Sequence, residues 1–224
     1  MLNSRHKDFV EAQDNSIFLT TRRNIARAIN NEKLDLLEGE EYLFEGTVSG
    51  RYEELKYIDE ERLENKLPAP NKLRLKRNAQ IMMLRNDIGK RWVNGSIGKV
   101  IEIKKDEIIV KINGKKHSVE REIWNDVEYV LNKKTNEIDE NILASFAQYP
   151  IQLAYAMTIH KGQGKTFENI TVDVGRGAFA HGQIYVALSR CKALNGITLN
   201  NPISNNDIIV DSRIVDFYNN KTIT

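Results

Sequence analysis

The chain has 224 residues, 41% of them hydrophobic and 29% charged, a balance that fits one or two globular domains and excludes fibrous or disordered polymers. Its one cysteine, Cys191, excludes a disulfide scaffold and a cysteine-based zinc site; with no apolar run in MLNSRHKDF and no stretch near the ~18 apolar residues of a membrane span, a soluble, cytoplasmic protein without membrane contact is expected. Net charge is only +2, but Glu32 to Glu64 carries twelve acidic and four basic residues (−8) and Lys72 to Lys116 thirteen basic and four acidic (+9), opposed blocks that suit a phosphate-binding sector or plain solvated faces.

In chain order, Ser16 to Thr21 is a short β-type run, and in RRNIARAIN after it Ile25, Ala28 and Ile29 fall at helical spacing. EYLFEGTVSG from Glu41 predicts a second strand. Arg51 to Asn71, polar and closing with Pro68 and Pro70, predicts a loop or boundary. Ala79-QIMMLRND predicts a buried strand, and VNGSIGKVIEI, DEIIVKI, NGKKHSVE and EYV then alternate with period two. Asn94-Gly95 and Asn113-Gly114 are hairpin-type turn pairs, so residues 78–135 are expected to form a small SH3-like antiparallel β-barrel, too small to be comfortably stable alone.

From Tyr149 the pattern becomes strand IQLAYAMTI, helix from about Gly162, strand ITVDVG, helix GQIYVALSRCKAL, strand ITL and a terminal helix through IVDFYNN. This βαβα order predicts a mostly parallel sheet flanked by helices. The simplest assembly is an α/β domain made of 1–77 and 136–224, with 78–135 inserted into it.

Gly162-Gln163-Gly164-Lys165-Thr166 ends like a phosphate-cradling P-loop, but that loop needs a glycine where this chain has Ile159. The segment still offers a strand that stops at His160-Lys161 and opens a helix, whose free amides, with Thr158, His160 and Lys161, suit an anion; a capped helix with a packed histidine is the alternative. In QIYVALSRCK, Ile184, Ala187 and Leu188 share a core face, leaving Ser189 and Arg190 off it. On periodicity alone Arg190 is a surface charge.

Taken together, AMTIHKGQGKTF (Ala156 to Phe167) and GQIYVALSRCKAL (Gly182 to Leu194), separated by ITVDVG, resemble motifs V and VI of superfamily 1B DNA helicases of the Pif/RecD type. FLTTRRNIARAIN resembles motif IV of that family, and AQIMMLRNDIGKRWVNGSIGKV the stretch leading into its SH3-like insertion. Four blocks in the family's order, from Phe18 to Leu199, make the match specific. Gly162 stands where the family carries serine and Asn78 where it carries glycine; neither change removes a charged contact. The larger departure is the absence of a P-loop, a magnesium-binding acidic box and motif III, which implies that the chain is the C-terminal part of a longer helicase.

The resemblance implies a RecA-like second lobe that closes an ATP cleft and carries part of a single-stranded DNA track, with ATP and Mg2+ held mainly by a missing N-terminal RecA-like lobe. On that basis Arg190 is the catalytic arginine finger. Gln163, Gly164, Gln183 and Ser189 face the nucleotide. Thr158, His160, Lys161, Thr21 and Asn24 grip DNA, and Arg85, Trp92 and Lys99 of the basic block supply an auxiliary DNA surface, although a tryptophan beside an NG turn more often belongs to the barrel's own packing. The family translocates 5′ to 3′ and serves DNA repair and recombination. The chain alone is expected not to hydrolyse ATP. A non-enzymatic nucleic-acid-binding module and a small nucleotide-binding enzyme built on GQGKT are the alternatives.

Overall fold

The computed structural model describes residues 2–7, 16–133, 135–175 and 177–220. In chain order the main elements are β1 (Ser16–Thr20), α1 (Arg23–Asp35), β2 (Glu41–Glu45), β3 (Thr47–Gly50), α2 (Arg51–Ile58), α3 (Glu60–Lys66) and β4 (Lys72–Lys76). Then follow β5 (Gln80–Met83), β6 (Ile97–Ile103), β7 (Ile108–Ile112), β8 (Lys115–Val119), β9 (Glu122–Asn132) and β10 (Glu137–Gln148). The chain closes with β11 (Ile151–Leu153), β12 (Ala156–Thr158), β13 (Asn169–Asp173), α4 (Gln183–Leu188), β14 (Ile197–Leu199) and α5 (Ser212–Asn220). They fall into two compact units, Met1–Lys33 with Ala154–Thr224, and Leu34–Leu153.

The first unit holds a parallel four-stranded sheet in the order β12-β1-β13-β14, the α/β pattern expected. Ile17 and Leu19 on β1 are fully buried, and four consecutive residues of β13 are buried, as in a strand covered on both faces. Asn30 on α1 ties the helix to the entry of β12. Its amide donates to the Ala156 carbonyl at 2.8 Å, and its oxygen accepts from the Tyr155 and Ala156 N–H groups, each at 2.9 Å.

The second unit is antiparallel throughout. Its five-stranded sheet runs β11-β5-β6-β7-β8, beside a three-stranded sheet β3-β10-β9 and a β2-β4 pair. The apolar residues of alternate positions, among them Leu73, Ile81, Val100, Val110, Tyr149 and Ile151, meet in one core. Asn113 (φ 49°) and Gly114 (φ 81°) form the two-residue turn between β7 and β8 that their sequence predicts, since the tight hairpin needs positive φ at both positions. Gln148, fully buried, donates to the carbonyls of Phe44, Pro70 and Asn71 and so fastens three strand ends together.

Five expectations are corrected. Asn94-Gly95 is not a tight hairpin turn: it closes the long loop between β5 and β6, with Gly95 N–H donating to the Met83 carbonyl at 2.8 Å. Arg51 to Asn71 is not a loop but contains α2 and α3, joined at Asp59, whose carboxylate caps α3 by accepting from Arg62 N–H at 2.8 Å. One apolar anchor, Leu63, is fully buried there, too few for a periodic signal. EYLFEGTVSG is two strands in different sheets, broken at Gly46, where a Cβ would lie 2.3 Å from the Phe146 ring. IQLAYAMTI is likewise two strands, β11 in the second unit and β12 in the first, with Ala154-Tyr155 between them. Finally, the second unit is wider than 78–135, because β2 and β3 pair with β4 and β10, and β9 runs on into a hairpin with β10.

Candidate functional site

In a parallel sheet, ligands are met at the carboxyl ends of the strands, where loops and helix starts converge. In the first unit that edge is built from Thr158, Thr20 and Asp173, the last residues of β12, β1 and β13, which lie in direct register. All three are buried, as is Thr21 beside them. The Thr20 hydroxyl accepts from Arg22 N–H at 3.4 Å, and Asp173 accepts from Gly175 N–H and from the Asn201 amide, both at 2.9 Å. Asn24 is exposed on the first turn of α1 above the same edge.

Beyond Thr158 the chain does not enter a helix at Gly162, which corrects that expectation and removes the helix dipole from the anion argument. Residues 159–164 make successive turns: Lys161 N–H donates to the Thr158 hydroxyl at 3.3 Å, Gly162 N–H to the Thr158 carbonyl at 3.0 Å, and Gln163 N–H to the His160 carbonyl at 3.1 Å. Gly164 at φ +73° reverses the path, a conformation most side chains disfavour. The turns leave His160, Lys161 and Gln163 exposed. Burial pushes the Lys165 ammonium below the usual lysine range.

The helix carrying Ser189 and Arg190 is short, six residues, with Ile184 and Ala187 buried as expected and Leu188 half-buried. Arg190 follows its end. Its Nε donates to the Val186 carbonyl at 3.0 Å, one terminal nitrogen to the Ser189 hydroxyl at 2.9 Å, and the other to the Lys165 carbonyl at 3.2 Å. Backbone bonds reinforce the junction: Phe167 N–H to the Arg190 carbonyl at 2.8 Å and Lys192 N–H to the Phe167 carbonyl at 3.1 Å. The two sequence blocks that looked chemically loaded are therefore held against one another. Two of the five guanidinium N–H groups are not used by these bonds.

Between the blocks lies a depression of about 40 Å³ lined by Ile159, His160, Gln163, His181, Gln183 and Val186, with Ala180 at its rim. Gln183 is only 4% exposed. Its oxygen accepts from Phe179 N–H at 3.1 Å, and its Nε2 is a buried donor without a partner. Sequence reasoning missed His181, whose Nδ1 lies 3.6 Å from the Asp211 carboxylate, and Asp207. Asp207 accepts from Ser204 N–H and hydroxyl at 2.8 and 2.7 Å and from Ala178 N–H at 3.2 Å, fixing the loop before α4. Those Ser204 bonds, with help from Ala178, hold its carboxyl below the usual aspartate range. The S-x-x-D spacing of Ser204 and Asp207 is a capping-box pattern that could have found it.

The basic-block residues belong to the other unit. Trp92 is 6% exposed, packed against His117 with Arg91 over its ring at 4.4 Å, so it cannot stack on a base; its core position corrects the DNA-binding expectation. Arg85 pairs with Glu122 at 2.9 Å and faces the Trp124 ring, and Lys99 is half-buried on β6 opposite Lys111. Among the described residues no group of three His, Cys, Asp or Glu side chains converges to hold a metal, and no helix is long and apolar enough to cross a membrane.

A family model described as a helicase, of the herpes helicase type, matches residues 124–223. The ATP-dependent DNA helicase Pif1 of Bdellovibrio bacteriovorus is 35% identical over 220 residues, covering 97% of this chain and 46% of that protein. Among solved structures, Pif1 from Bacteroides in complex with ADP-AlF4 is 31% identical with a TM-score of 0.82, and the same helicase bound to single-stranded DNA gives 0.73; each comparison covers 97% of this chain and 48% of the other.

Proposed function

Because the chain belongs to the Pif1-type helicase family, spanning about half the length of the curated relatives it matches, we propose that it is the second, C-terminal RecA-like lobe of an ATP-dependent DNA helicase. The observation that carries this reading is the junction of Arg190 with the 159–165 turns, which puts a guanidinium, a buried amide donor, two strand-end hydroxyls and a strand-end carboxylate on one edge of one unit. In the relatives' known structures, one such complex contains an ATP analogue and another single-stranded DNA. We extend the SH3-like reading to the antiparallel five-stranded sheet of the second unit.

The residues present fit one wall of a nucleotide site and not a whole one. The two remaining N–H groups of Arg190 suit phosphate oxygens, and the buried, unpaired Nε2 of Gln183 would join them only if its side chain turned outward, while a space of about 40 Å³ cannot enclose a nucleotide. Gln163, Gly164, Gln183 and Ser189 would line that wall, and Arg190 would reach a terminal phosphate with the planar fork that lysine lacks. Bound Mg2+, held by the other lobe, would neutralise charge developing on the phosphates. Thr158, His160 and Lys161, with Thr21 and Asn24, would hold a DNA backbone without reading bases, so binding is salt-dependent and sequence-tolerant. Alone, the lobe does not hydrolyse ATP.

The test is Arg190→Ala in the full-length protein. The expected result is a fall in DNA-stimulated ATP turnover of about 10³-fold with DNA binding kept. Turnover that survives the change returns the chain to the class of non-enzymatic binding modules.

A further inference from the structure

The hairpin of β9 and β10 is long, and its outer half has the wrong face apolar for a strand pair that merely decorates a core. In the inner half, Trp124 and Phe146 lie opposite one another and stack at 5.9 Å, with Phe146 fully buried in the second unit. Side chains alternate between faces along each strand, and directly paired residues share one. On the face away from Trp124, register and alternation align Ile123, Val127, Tyr129, Leu131, Ile138 and Ile142, interrupted by Glu140 opposite Tyr129 and by the hydrogen-bonded pair Asn125 and Ser145. That stripe is not covered: Tyr129 is 64% exposed, Leu131 56%, Ile138 69% and Ile142 59%. The reverse face of the outer half is polar instead, with Glu128, Asn132, Glu137, Asp139 and Asn141 beside Val130. A two-stranded ribbon with a bare apolar face is marginal in water and needs a cover.

Charge and area decide what covers it. Asp126 to Asn141 holds five acidic residues against two lysines, Glu140 on the apolar face and the other four on the reverse one, so the ribbon as a whole repels a nucleic-acid backbone and a protein surface is favoured. Five side chains little more than half exposed, with Val127 half-buried among them, offer on the order of 500 Å², short of the about 800 Å² per partner that a free-standing complex buries. A patch of that size suffices only when its partner is tethered and the effective concentration is high. The curated relatives are about twice as long as this chain, which supplies a tethered partner. We propose that the apolar face of the β9–β10 ribbon docks on the companion half of the full-length protein, at a surface apolar in its centre and bordered by lysine or arginine. This rests on the reading of the chain as one half of a helicase.

Hydrogen exchange read by mass spectrometry across residues 123–142 tests it, in the 224-residue chain and in the full-length protein. The expected result is exchange at least about tenfold slower in the full-length protein, made fast again by Leu131→Glu with Ile138→Glu, two exposed positions whose change leaves the core untouched. Equal exchange in the two proteins overturns the proposal, and so does protection already present in the short chain. Protection that grows with protein concentration assigns the face to a second copy, and protection that appears only with added single-stranded DNA assigns it to nucleic acid; each result refutes tethered docking. Loss of turnover in Arg190→Ala, measured on the same preparation, keeps the helicase reading separate: it can stand while the ribbon is bare, or fail while the ribbon is covered.

Discussion

The two units bury polar groups differently. Among the described residues, the first buries Thr20, Thr21, Thr158, Thr171, Asp173, Gln183 and Asp207, six of them at or beside one edge of its sheet, whereas the second buries only Asn71, Gln80 and Gln148. Part-exposed ion pairs occur in both, Arg74 with Asp35 and Glu41 and Arg85 with Glu122 in the second unit, Lys192 with Glu168 in the first. Burying a hydroxyl or carboxylate costs free energy unless it is bonded, so a fold that concentrates such groups at one place has a chemical use for that place. The apolar unit is built for shape and the polar edge for contact.

Four changes probe that contrast, taken from the strongest effect downward. Phe146→Ala, in the apolar unit, removes a fully buried ring and is expected to cost about 3–5 kcal/mol in urea unfolding, against which a loss below ~1 kcal/mol would show the core is loosely packed. Asp207→Asn is expected to cost about 1–3 kcal/mol, because a carboxylate that accepts three bonds loses part of its capacity. Its sign with pH follows from the lowered pKa. The stabilisation is complete above about pH 4, the unfolded value, and disappears as pH falls through the lower folded value; the asparagine variant should show a shallower acid-side decline.

Thr158→Ala with His160→Ala inverts the pattern: stability should move by less than about 1.5 kcal/mol while single-strand binding by the full-length protein weakens and its log–log salt slope flattens by roughly 1. Unchanged binding across salt removes both residues from the track. Last, Arg85→Ala should shift stability by no more than about 1 kcal/mol, since its pair with Glu122 is half-exposed; a larger loss would mean that its approach to the Trp124 ring carries the packing of β9.

Local signals and tertiary ones explain what could be anticipated. The Asn113-Gly114 turn, the parallel strands around Ile17 and Ile170, and the burial of Ile184 and Ala187 follow from short-range chemistry, and all are observed. The helices of 51–66 rest on one cap and one buried leucine, and the split of IQLAYAMTI depends on which sheet each half joins; neither leaves a periodic trace. At the site, motif spacing pointed to His160, Gln163, Gln183 and Arg190, which the fold gathers around one depression and one junction. It misjudged Trp92 because an aromatic beside a turn looks the same whether it faces solvent or core. His181 was overlooked because its partner, Asp211, meets it only through folding, whereas Asp207 carries a local signal in Ser204 three residues before it.

The resting posture of Arg190 sets a threshold. Its guanidinium is held by two carbonyls and a hydroxyl, all neutral, each contact worth about 1 kcal/mol net. A neutral newcomer offers no reason to leave, whereas an anionic oxygen, roughly twice as strong an acceptor, can draw the side chain away. Departure would also free the Lys165 carbonyl at the end of the 159–165 turns, so the side chain that leaves its resting bonds for an anion gives up a contact with the neighbouring motif.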